Sequence, residues 1–183
     1  MYSGIPFVEQ SDSTISQTPQ REQEPVKNNA QPKPKSEGPG RLIQEMTQLA
    51  SFLEQLRVQS HLIHFNYESS NFIGIHKFLK KQYELHQDQF DKVGELIRSM
   101  DYLLPMCMKG LLAAYKKFNH CESYDAKQML ITYYKNLEEF AMMAKKVRKL
   151  AEKEDAPDID NYMAQLIEDS FKSSWYIKAT LRE

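Results

Sequence analysis

Apolar residues recur every three or four positions along most of this chain. Leu42, Met46, Leu49, Leu53, Leu56 and Ile63 form a helical stripe that starts after Arg41. Glu68-Ser69-Ser70-Asn71 interrupts it with residues suited to capping a new helix. Phe72, Ile75, Phe78 or Leu79, Tyr83, Phe90, Val93, Ile97 and Met100 make a second stripe. The pattern loosens between Asp101 and Ser123, where Leu111 to Tyr115 reads as a short helix inside a long connection. Ser123 is placed to cap a third helix carrying Met129, Leu130, Tyr133, Leu137, Phe140, Ala144, Val147 and Ala151. Pro157 suits the first position of a fourth, with Asp158 and Asp160 near the positive end of its dipole. Its stripe is Ile159, Met163, Leu166 or Ile167, Ser170, Ser174, Ile177 and Leu181. No stretch keeps the two-residue period of a strand for long. The expectation is an all-α four-helix bundle with a long crossover, holding a short extra helix, between helices 2 and 3. A simple up-down-up-down bundle has no use for that crossover.

Residues 1–40 have another texture. Pro6, Pro19, Pro25, Pro32, Pro34 and Pro39 lie here among Ser, Gln, Asn and Glu, with few large apolar residues. Such a segment buries too little surface to offset its ordering entropy. We read residues 1–40 as a disordered Pro/Gln/Ser-rich N-terminal tail and 41–183 as the bundle domain.

Charge narrows the partners. Lysine plus arginine total 24 against 25 aspartate plus glutamate, a net charge of −1, so nothing draws the whole molecule to nucleic acid or an anionic membrane. No apolar run approaches a membrane span, and the start of the chain lacks the basic-then-apolar order of a secretion signal. Cys107 and Cys121 do not form a CxxC pair and are too few for a disulfide framework. They read as small buried hydrophobes of a reducing, cytoplasmic interior.

The candidate chemistry lies in His64, His76, Asp91 and Glu95, all iron-ligand types. Asp91 and Glu95 are four apart and share a helix face. His76 lies fifteen residues before Asp91 on the same expected helix, a rise of about 22 Å. No single centre spans that distance. A site using all four residues needs a second copy, and hence a two-fold dimer with two identical sites. A bundle-interior di-iron centre built on Glu-x-x-His pairs has no counterpart, since Val58, His61, Ile73, Tyr83 and Lys117 precede the five histidines by three positions. Met106-Cys107-Met108 reads as packing of the crossover rather than a soft-metal site. Trp175 reads as a core or interface aromatic and His61 as a surface histidine. His86 and His120 belong to no constellation.

His64-Phe65-Asn66-Tyr67, Asn71-Phe72, His76, Asp91 and Glu95, with Trp175 to Leu181 at the end, resemble the mini-ferritins called Dps over roughly residues 42–183. The resemblance implies a ferritin-like four-helix bundle, assembled as a homo-oligomeric dodecamer built from two-fold dimers. It also implies iron binding and storage. Fe(II) would be oxidised with hydrogen peroxide between subunits, with histidines from one chain and the acidic pair from the other. Acidic residues Glu152, Asp155, Asp158 and Asp160 would then line pores. Three positions depart from the family pattern: Lys80 replaces an aspartate, Phe65 replaces a tryptophan, and Glu68-Ser69-Ser70 replaces a glycine break. Lys80 lies one turn past His76 and, as an ammonium, repels Fe(II), so weakened oxidation is expected. The alternative is a nucleoid-binding or structural shell whose iron site has degenerated. Lys27, Lys33 and Lys35 are its candidate DNA contacts, although the tail's four basic residues, five with the adjoining Arg41, meet five acidic ones. The basic run from Lys145 to Lys149 is a second patch, equally explained by cations near a helix C-terminus.

Overall fold

The computed structural model describes residues 40–182. The expected tail, with Lys27, Lys33 and Lys35, lies outside the described residues except for Gly40. Four long helices and one short one follow: α1 (Arg41–Asn66), α2 (Phe72–Ser99), α3 (Met108–Ala113), α4 (Ala126–Lys153) and α5 (Pro157–Thr180). No described residue is in a strand. The architecture is two helical hairpins, α1 on α2 and α4 on α5, joined by the crossover and packed through α1 and α4. Leu49, Leu53, Leu79, Ile97, Leu130, Leu137 and Phe140 fill the seam and are fully buried.

The hairpin turns follow local chemistry. Tyr67 ends α1 in extended backbone, is buried, and donates its hydroxyl to Asn71 Oδ1 at 2.6 Å. Asn71 occupies the N-cap of α2, but its side chain serves Tyr67 rather than the helix. The N-cap of α4 is Asp125, not Ser123: its carboxylate accepts from Gln128 N at 2.7 Å. Ser123 Oγ instead accepts from Asp125 N at 3.1 Å, ordering the approach to the cap. Pro157 opens α5 as expected.

Side chains of α1 and α4 stitch the crossover to the bundle. The Phe52 ring meets Phe118 at 4.9 Å, Tyr115 at 5.1 Å and Phe140 at 5.9 Å. Gln59 Nε2 and Asn136 Nδ2 both donate to the Asn119 carbonyl, at 2.9 and 2.8 Å. Gln55 Nε2 donates to the Tyr115 carbonyl at 3.2 Å. The short helix sits earlier than its leucines indicated, because the Cys107 sulfur accepts from Gly110 N and caps it. Cys107 is therefore exposed and Cys121 half-buried, both unpaired, rather than two buried hydrophobes. Met106 and Met108 are exposed rather than packed, and Trp175 lies on the surface against Tyr176 at 4.8 Å.

Candidate metal centre

His64, near the end of α1, and His76, in the first turns of α2, meet because the short turn folds the two helices back on each other. Their rings stack at 3.7 Å with planes 21° apart. His64 Nδ1 donates to the His76 carbonyl at 2.9 Å, and His76 Nδ1 donates to the His64 carbonyl at 3.0 Å. This reciprocal pair fixes both tautomers. In the neutral ring the proton sits on Nδ1, so Nε2 carries the lone pair a metal ion needs. Neither Nε2 has a hydrogen bond to a described residue. His64 is buried and His76 half-buried.

The stacking restricts what the pair can hold. A metal ion lies in the plane of the imidazole it binds. Two nearly parallel planes a ring's thickness apart have no common point near both nitrogens. As ligands, His64 and His76 could serve two neighbouring cations, or one of them none; their geometry does not let them chelate a single ion together.

Asp91 and Glu95 lie on α2, and α2 runs unbroken from Phe72 to Ser99, so the rise of about 22 Å from His76 to Asp91 holds. Both acids are exposed. Glu95 makes a 3.4 Å ion pair with Lys92, while Asp91 pairs with no described residue. Among the described residues, no three of His, Cys, Asp or Glu gather within one chain to hold an ion. Lys80 is exposed and pairs at 3.8 Å with Glu84, one turn further along. Phe65 is 67% exposed. Of the acids near the α4–α5 turn, Glu152, Asp155 and Asp158 face solvent, and Asp160 accepts from Arg148 at 2.8 Å.

Two histidines have surroundings that their sequence neighbours did not disclose. His61 is half-buried between aromatic faces, with Tyr83 at 4.0 Å and Phe65 at 4.7 Å. His86 is buried in the bundle interior, where its Nδ1 donates to Gln89 Oε1 at 3.0 Å and its Nε2 accepts from the Tyr133 hydroxyl at 2.8 Å. Gln89 Nε2 in turn donates to Asp169 at 3.3 Å. Burial pulls His86 down to about 4, against a smaller upward pull from Gln89. Burial also pushes the Tyr133 phenol well above its ordinary range. The imidazole, carboxamide and phenol satisfy one another, so this interior offers a cation no unused ligand. The distant partner, Tyr133 on α4, is what the sequence concealed.

The chain belongs to the ferritin-like family: residues 43–183 match the model of the ferritin-like domain. Its fold is that of the Dps mini-ferritins. A zinc-soaked Dps of Listeria innocua is similar with a TM-score of 0.73 at 19% identity, covering 78% of this chain and 97% of that one. Antigen TpF1 of Treponema pallidum is similar with a TM-score of 0.73 at 18% identity, covering 82% of this chain and all of that one. The Dps of Vibrio cholerae O1, described as a member of a broad superfamily of ferritin-like diiron-carboxylate proteins, gives 0.71 at 18% identity, covering 76% and 88%. No curated protein matches this sequence. No described helix is long and apolar enough to cross a membrane.

Proposed function

We propose that this protein binds and stores iron, oxidising Fe(II) with hydrogen peroxide at sites shared between two copies of the chain. Each site pairs His64 and His76 of one protomer with the partner's Asp91 and Glu95, in a dodecamer built from two-fold dimers. The observation that carries this reading is the stacked histidine pair. Each ring is locked in the tautomer a ligand needs, its Nε2 is unused, and no carboxylate of its own chain completes a site. A second copy supplies what is missing. Around the pair, Val58, Leu62, Phe65 and Ile73 expose apolar surface, with Leu62 at 56% and Phe65 at 67%. An exposed apolar cluster next to unfilled ligands is what a covering subunit would bury. Ferritin-like ancestry and imidazole-plus-carboxylate donors fit iron.

Lys80 mutes the site. Lys80 lies one turn past His76 on α2, and its ammonium, 3.8 Å from Glu84, adds positive charge on the approach to the site and supplies no ligand. Titrating anaerobic Fe(II) and then adding peroxide tests the reading. Lys80→Asp should raise the rate of peroxide-dependent oxidation on the order of tenfold, about 1.4 kcal/mol in the barrier. An unchanged rate, with Fe(II) still bound, would mean that oxidation does not pass through this site.

A further inference from the structure

We infer that His61 is a third histidine ligand, sharing one cation with His64. This rests on the shared-site reading above. His61 and His64 are three apart on α1, so their side chains leave the same face. Their ring centres lie 6.0 Å apart with planes 57° apart. Two imidazoles that each bind one ion at about 2.1 Å put their ring centres roughly 5 to 6.5 Å apart, with planes free to converge. His61 and His64 meet that condition; the parallel His64 and His76 do not.

His61 is also held as a ligand is held. Tyr83 covers its ring at 4.0 Å and 27°, and Phe65 lies against it at 4.7 Å and 28°. These contacts occupy the ring's faces and leave its edge, where the nitrogens sit. No described residue hydrogen-bonds either nitrogen. A ring fixed in place with both nitrogens unspent, beside a histidine whose Nε2 is also unspent, is half of a coordination shell. Lys80 offers no ligand in competition with His61, and its ammonium pairs with Glu84 at 3.8 Å.

The inference sets the class of cation. An ion at this position meets two imidazoles before it meets the partner's carboxylates. Nitrogen-rich ligation favours Co(II), Ni(II) and Zn(II) over Mn(II) and Mg(II). The site therefore binds borderline divalent ions in competition with Fe(II).

The test is anaerobic titration of the full-length oligomer with Co(II), followed by calorimetry and by its visible absorption. His61→Gln should weaken Co(II) binding at least tenfold and change the absorption, while His120→Gln, an exposed histidine elsewhere, should change neither. Unaltered affinity and absorption in His61→Gln, or an equal loss in His120→Gln, overturn the inference. The Asp91→Asn/Glu95→Gln variant separates the two readings. If it loses Co(II) while His61→Gln does not, the shared site stands and the role of His61 falls. If neither variant loses Co(II), both fall. A second measurement needs no variant: Zn(II) should shield His61 together with His64 from carbethoxylation, mapped by mass spectrometry. Modification of His61 at an undiminished rate contradicts the assignment.

Discussion

Protonating His86 would put a charge in the buried interior, away from water. Gln89 accepts from its Nδ1, and a second N–H at Nε2 would find an acceptor only if the Tyr133 hydroxyl turned its own proton to Gln82 Oε1, 3.3 Å away. Its folded value is about 4, against an ordinary 6.5 for the unfolded chain. Below pH 6.5 the unfolded chain takes up a proton that the folded chain refuses. The stability present above pH 6.5 is therefore lost as pH falls toward 4, by about 3 kcal/mol in all. Denaturant midpoints at pH 7 and pH 4.5 should show that drop, and His86→Gln should flatten it. A midpoint independent of pH between these values, with a folded parent protein, would show that His86 is not held neutral. The sequence hid this residue for a plain reason: its hydroxyl partner is 47 positions away on another helix. His61 was hidden in the same way, since Tyr83 covers it from α2. His64, His76, Asp91 and Glu95 could be proposed from the sequence because their types and spacing bear on one another without tertiary knowledge, and the structure adds the stacking of His64 on His76.

At the scale of the element, helical periodicity placed α1 at Arg41, α2 at Phe72 and α5 at Pro157. It failed in the crossover, where the start of α4 and the position of α3 are set by single capping atoms, Asp125 Oδ1 and Cys107 Sγ. A cap is a local contest among neighbouring polar residues, and Ser123 and Asp125 are equally good on paper. Tertiary contacts then fix the crossover, and Phe52 is its anchor. Phe52 is fully buried and touches Tyr115 and Phe118 of the crossover as well as Phe140 of α4. Phe52→Ala should cost about 3–5 kcal/mol in global unfolding. It should also speed amide exchange through residues 115–120 ahead of the helices, because those residues lose their packing first. Exchange that stays uniform along the chain would mean that the polar stitches from Gln59 and Asn136 hold the crossover alone.

At the scale of the whole molecule, the proposed site has its histidines and its acidic pair at opposite reaches of α2, too far apart for one copy to unite them. In that proposal assembly is part of the chemistry. A species far larger than 21.5 kDa should appear by light scattering, and loss of assembly should abolish iron oxidation even with every ligand intact. The most direct test mixes two inactive proteins. One carries His64→Ala and His76→Ala; the other carries Asp91→Asn and Glu95→Gln. Unfolded together and refolded, random pairing makes half the dimers mixed, and each mixed dimer has one site with all four ligands. About a quarter of the parent's peroxide-dependent Fe(II) oxidation should return. If the co-assembled mixture stays as inactive as its components, the ligands are not shared across the two-fold axis.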